Sequence, residues 1–188
     1  EGNLATNGVA IYIATAETEG SVAGTATITG ATIINHSATT NGGAIYANGA
    51  LNTNNTVFYK NSTKSQGGAI YASKTYTDEG SLFIENTAEG QSGAVQAGDK
   101  ITLNKTQFIR NESTANRAGA LLVTGKLEAI EVLFEGNKAK DNGGAVVITG
   151  ADASVFDCCT FNENVSGNRA CKASHGRARD SKRIFFGE

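Results

Sequence analysis

The stretch TNGGAIYANG, residues 40–49, recurs as QGGAIYAS at residues 66–73. A glycine pair marks a turn, and Ala-Ile-Tyr-Ala after it reads as a short strand. Aligned on the second glycine, the phrase occurs five times: Gly43, Gly68, Gly93, Gly119 and Gly144 are spaced 25, 25, 26 and 25 residues apart. The first glycine is present as Gly42, Gly67 and Gly143, and Ser92 and Ala118 replace it in the other two copies. Each phrase continues through Ala44, Ala69, Ala94, Ala120 and Ala145 to a branched residue, Ile45, Ile70, Val95, Leu121 and Val146. The next position varies (Tyr46, Tyr71, Gln96, Leu122, Val147), and small or apolar residues then return. This period of two turns the Ile45 and Ala47 columns inward and the Tyr46 column outward. The alanine column shares the outward parity, and its uniform smallness marks a tight bend.

A second phrase runs in phase with the first. FYKN, FIEN, FIRN, FEGN and FNEN place Phe58, Phe83, Phe108, Phe134 and Phe161 three residues before Asn61, Asn86, Asn111, Asn137 and Asn164. IINH, with Ile33 and His36, is an earlier degenerate copy. Two phrases locked at one period define a solenoid or array. Helix signals are almost absent, the dense leucine pattern of leucine-rich repeats is missing, and a propeller blade needs about 40 residues. The sequence therefore predicts an all-β fold, a right-handed parallel β-helix with coils of about 25 residues and about three short strands per coil. Like residues stack at ~4.8 Å, and the chain holds some seven coils. The Phe column piles ring on ring inside, and the Asn column sits at a turn, each amide bonding to the Asn one coil on. Lys60, Glu85 and Arg110, just before the asparagines, form an exposed ladder of alternating sign.

Composition narrows the function. The chain has 188 residues with 23 Gly and no Pro, Met or Trp, and only 7% are aromatic, so the core is thin or built of small residues. The absence of Met reads as an internal segment of a longer protein, and no membrane-length apolar run suggests direct insertion. A net charge of −2 argues against nucleic acid as a partner. The division expected is residues 1–167 as coils and residues 168–188 as a basic loop or insertion leading toward the next coil. That tail carries Arg169, Lys172, Arg177, Arg179, Lys182 and Arg183 against Asp180 and Glu188. It reads either as a surface loop or as a patch for acidic partners. Cys158, Cys159 and Cys171 lack metal spacing, and an odd number of thiols leaves one for an intermolecular disulfide or free. Acidic residues are scattered, the two histidines lie far apart, and no nucleophile elbow or phosphate loop is present, so neither catalysis nor a cofactor is expected. A polysaccharide-cleaving β-helix enzyme is the remote alternative.

The tandem pairing of GGA(I/L/V) with FxxN resembles the polymorphic outer-membrane proteins of chlamydiae, over about residues 33–164, and leans to the D subtype. The resemblance implies an autotransporter, exported by type V secretion, of which this chain is part of the β-helical passenger. It implies a place at the bacterial cell surface, in the outer membrane or as a secreted passenger. It also implies adhesion to host cells during infection through a receptor, with both tetrapeptides as adhesion motifs. By parity, however, Phe and Asn point inward, so Tyr46, Tyr71, Lys60 and Arg110 are the better candidates for receptor contact. A purely structural stalk, presenting an adhesive region elsewhere on the passenger, is the competing reading. Self-association is a further expectation.

Overall fold

A computed structural model describes residues 4–14 and 24–167. Within them every regular element is a β-strand and every strand pair is parallel, in a β-solenoid of about six turns. Each coil has four strands, not three. In the coil that opens with the quoted phrase they are Ile45–Ala47, Ala50–Asn54, Val57–Tyr59 and Ser62–Thr63. Equivalent strands of successive coils form four sheets, here named the GGA sheet, the broad sheet, the Phe sheet and the short sheet. The first three contain six strands and the short sheet seven. The strand missed in the sequence is the two-residue one after each asparagine, too short and too polar to show a period.

The register confirms the phase of both phrases. Ile45 pairs with Ile70 and Ile70 with Val95. Phe58 pairs with Phe83, Phe83 with Phe108, Phe108 with Phe134 and Phe134 with Phe161. The ring centroids of that column are 4.7, 4.9, 5.1 and 4.8 Å apart and the planes are nearly parallel. Phe58, Phe83, Phe108 and Phe134 are completely buried, together with Ile45, Ile70, Val95 and Leu121.

Three columns of left-handed backbone make the corners. One precedes the Phe strands (Gly30, Asn55, Gly80, Lys105, Glu131, Cys158), with φ between 45° and 69°. A second follows them (Asn35, Lys60, Glu85, Arg110, Gly136, Glu163), with φ between 51° and 60°. The turn thus falls on the residue before each motif asparagine, not on the asparagine. The third is the first-glycine column, where Gly42, Gly67 and Gly143 adopt φ of 64°, 69° and 64°, and Ser92 and Ala118 are held at 63° and 64°.

The two motif glycines do different things. A Cβ on Gly43 would lie 1.9 Å from the carbonyl oxygen of Gly68, and on Gly68 1.9 Å from that of Gly93. No side chain fits there without a shift of the adjacent coil, and the five aligned copies keep glycine, whereas the first coil, NGVAIY, carries Val9 at that position. At the first position the backbone is left-handed and a Cβ would crowd a carbonyl of its own coil, 2.0 Å from Ile45 O at Gly42 and 2.1 Å from Ile70 O at Gly67; Ser92 and Ala118 occupy it under strain. The next column is also confined: Ala44, Ala69, Ala94 and Ala120 are completely buried despite their parity. Each carbonyl there accepts two N–H groups from the coil before, as Ala69 O does from Ala44 and Ile45 at 2.9 Å.

Ala118→Gly is therefore expected to stabilise the protein. It relieves ~1–2 kcal/mol of left-handed strain and adds ~0.5–1 kcal/mol of unfolded-state entropy, a net gain of about 0.5–1 kcal/mol. Urea denaturation measures it, and a loss of stability would contradict the strain.

Candidate binding surface

The motif residues are interior. The amides of Asn86, Asn111 and Asn137 are fully used: Asn86 Nδ2 donates to Asn111 Oδ1 at 3.0 Å and to Phe58 O at 2.9 Å. Its Oδ1 accepts from Asn61 N at 2.9 Å and Asn61 Nδ2 at 3.0 Å. The pattern repeats through Asn111 and Asn137 to Asn164. His36, in the degenerate copy, closes the near end with its backbone N–H, 3.1 Å from Asn61 Oδ1. Asn61, Asn86, Asn111 and Asn137 are completely buried. GGA and FxxN thus build the scaffold, and contact with another molecule falls to the columns beside them.

The outward column of the GGA sheet is aromatic at its N-terminal end. Tyr12 joins Tyr46 and Tyr71, a member the sequence reading did not include. The three rings stack at 5.2 Å with planes 7° and 6° apart. Tyr12 is 55% exposed, and Tyr46 and Tyr71 are half-buried. Burial first, and then Tyr46 beside it, raises the Tyr71 hydroxyl above the ordinary tyrosine range. The ladder stops there, because Gln96 and Leu122 continue the column as buried residues. Stacked rings hide their faces from solvent, so the ladder presents edges and a line of hydroxyls.

The charged ladder has the alternation expected of it. Lys60 and Arg110 each reach Glu85, at 3.7 Å. Lys60 Nζ also sits 4.9 Å from the centre of the Tyr59 ring. All three residues belong to the corner between the Phe and short sheets. The short sheet and the glycine corner lie between them and the tyrosines along each coil. Lys60 and Arg110 are therefore not neighbours of Tyr46 and Tyr71 along the same face, and the candidate contacts form two ladders.

Other features escaped the sequence reading. Asp78 is a core residue, 1% exposed, in a strand that reads YTDE. Its carboxylate accepts from Thr106 Oγ1 at 2.5 Å, Ser81 N at 3.2 Å and Tyr76 OH at 3.5 Å, and from Thr53 Oγ1. Burial and the Asp78 charge hold the Tyr76 hydroxyl well above the ordinary tyrosine range. This polar knot joins three coils and reaches no surface. The Cys158 and Cys159 thiols are free, Cys158 exposed and Cys159 half-buried. Its hydrogen bond to Asp157 raises the Cys158 thiol and burial raises that of Cys159, so neither is an activated thiolate. Among the described residues no group of three or more His, Cys, Asp or Glu side chains could hold a metal ion. Cys171 and the basic tail of residues 168–188 lie outside the described residues.

Fold and surface define a repeat-built β-solenoid whose motifs are structural and whose outward columns differ from sheet to sheet. Two of its segments, residues 55–73 and 131–149, match the Chlamydia polymorphic membrane protein repeat, and these matches support a place in that family. Each segment spans a Phe strand, its asparagine and the following glycine phrase. No curated protein and no solved structure matches the chain.

Proposed function

We propose that the chain is part of a surface-exposed autotransporter passenger that acts as an adhesin, binding a host-cell receptor through an outward ladder. The repeat matches and the solenoid fit such a passenger. The observation that carries the adhesive reading is the outward-facing Tyr12–Tyr46–Tyr71 stack. Tyrosine supplies large contact area and a polar tip at little entropic cost, and it is enriched where interfaces concentrate their energy. A ladder pinned to neighbouring coils is also pre-organised, which lowers the cost of binding. Binding rather than catalysis suits a surface of stacked columns.

One observation favours the structural stalk. Both tetrapeptides that mark the repeat are buried, so their recurrence alone calls for no partner. Cell binding separates the two readings. Replacing Tyr12, Tyr46 and Tyr71 together by alanine should reduce binding of the chain to epithelial cells at least tenfold, leaving the melting temperature within a few degrees. A parent chain that does not bind saturably would establish the stalk. Binding that survives the triple change but falls in Lys60→Ala with Arg110→Ala would move the contact to the charged corner.

A further inference from the structure

Four Asn-Gly pairs occur in the chain: Asn7–Gly8, Asn41–Gly42, Asn48–Gly49 and Asn142–Gly143. In such a pair the main chain can attack the asparagine side chain. Glycine has no Cβ to shield its nitrogen, and the two reacting groups are already joined, so no encounter is needed. A fold prevents the reaction by holding the peptide still, since the nitrogen has to turn toward the side-chain carbonyl carbon. Two of the pairs are held firmly. Gly42 N donates to Gln66 O at 2.9 Å, and Asn41 O accepts from Gly8 N at 3.3 Å. Gly8 N also donates to Gly42 O at 3.0 Å, and Asn7 Oδ1 accepts from Asn41 N at 3.1 Å and from Thr40 Oγ1. The Asn142–Gly143 peptide is held at one end, where Asn142 O accepts from Ala118 N at 3.0 Å.

The Asn48–Gly49 peptide is different. Among the described residues neither Asn48 O nor Gly49 N makes a hydrogen bond, and neither does the half-buried Asn48 side chain. The fold is the cause. This pair forms the corner between Ile45–Ala47 of the GGA sheet and Ala50–Asn54 of the broad sheet, where water can serve the backbone groups. Lys74, Asp99 and Gly125, at the same corner of later coils, also leave their N–H groups without a partner among the described residues. Packing sets the glycine at this coil, because a Cβ on Gly49 would lie 2.0 Å from Gly24 O. We propose that Asn48 is a site of spontaneous covalent modification, converting through a cyclic imide to aspartate and isoaspartate. Gly49 N gives its proton to solvent base and attacks Asn48 Cγ. A Cγ–N bond forms, the Cγ–Nδ2 bond breaks, and Nδ2 leaves as ammonia. Water then opens the five-membered imide at one of its two carbonyls. Opening at Cγ gives aspartate on the original main chain. Opening at the main-chain carbonyl carries the chain through Cγ and gives isoaspartate. One water is consumed and one ammonia released, with no oxidant or reductant.

The place gives the reaction a consequence. Asn48 follows Tyr46 by two residues, at the edge of the sheet that carries the tyrosine ladder, and the pairing of the flanking strands sets its corner beside Ser73 and Lys74 of the next coil. Either product fixes a negative charge at that edge, one coil from Lys74, whose partner is Asp99 at 3.9 Å. Isoaspartate also lengthens the corner where it packs on Gly24. The surface beside the ladder therefore changes with the age of the protein, whether or not the ladder binds a receptor.

The test is peptide mapping of the folded 188-residue chain held at mildly alkaline pH and body temperature. Fragment-ion spectra should place a gain of one mass unit at Asn48, at a rate at least tenfold above that at Asn7 or Asn41. Hydroxylamine, which cleaves the imide, should cut the aged chain between Asn48 and Gly49. Asn48→Ser should abolish both signals while circular dichroism still reports the folded solenoid. In urea Asn7, Asn41 and Asn48 should react at similar rates, because unfolding releases every peptide. A folded chain in which Asn48 stays unchanged, or reacts no faster than Asn41, overturns the proposal. So does an advantage of Asn48 over Asn41 that persists undiminished in urea, which would place its cause in the local sequence and not in the open corner. Cell binding by the tyrosine ladder is read separately, so either reading can fail without the other.

Discussion

Phe108→Ala is expected to lower the stability of the solenoid by about 3–5 kcal/mol, toward the upper end of that range. The ring is completely buried and lies between Phe83 at 4.9 Å and Phe134 at 5.1 Å. Truncation removes the burial energy and two stacking contacts, and it also leaves a hole. In most cores part of such a hole closes by relaxation. Here the coils above and below are held at sheet spacing by four parallel ladders, so the neighbouring rings have little freedom to approach. Phe161→Ala supplies the contrast. That ring is half-buried, with Phe134 on one side and an edge contact to Phe156 at 5.5 Å, and its loss should cost clearly less. Urea denaturation followed by circular dichroism measures both. A cost below about 1 kcal/mol at position 108, or equal costs at the two positions, would contradict a rigid internal stack.

The spine of the fold was legible because repetition amplifies a weak signal. One Phe-x-x-Asn means little, but five in phase with a glycine phrase leave one architecture, and the register of Phe58, Phe83 and Phe108 follows from the spacing. What stayed hidden depends on position around the coil rather than along the chain. The two-residue strand Ser62–Thr63 has no period to detect. The corner role of Lys60, Glu85 and Arg110 was masked by their charge, since neither lysine nor glutamate advertises a left-handed backbone. Asp78 was invisible because its burial follows from pairing with Thr53 and Leu103, two inward positions of other coils.

The candidate contacts divide in the same way. Tyr46 and Tyr71 were found by parity, a property local to the strand. Tyr12 was not, because its coil reads NGVAIY and lacks the second glycine on which the alignment depended. Backbone pairing of Tyr12 with Tyr46 restores it to the column.

Asn86→Asp is expected to be among the most damaging single changes, at about 3–5 kcal/mol near neutral pH, although it alters one atom of the side chain and no volume. The amide nitrogen it replaces donates to Asn111 Oδ1 at 3.0 Å and Phe58 O at 2.9 Å. A carboxylate oxygen in that place confronts two acceptors, inside a core with no cation against it. The result carries a pH signature. Burial beside acceptors favours the protonated acid, so the folded pKa of the new carboxyl rises above its unfolded value of about 3.9. Below that value the group is neutral in both states and the penalty is smallest, because one O–H can replace one of the two lost donors. As pH climbs past about 3.9 the unfolded chain ionises first, and stability falls by ~1.36 kcal/mol per unit until the folded pKa is reached. Melting temperatures of the parent and the variant across the acidic range separate this from a merely structural defect, whose cost would not follow pH. A variant as stable as the parent at neutral pH, or a penalty that shrinks as pH rises, would show that the asparagine ladder does not hold the coils together through its paired amides.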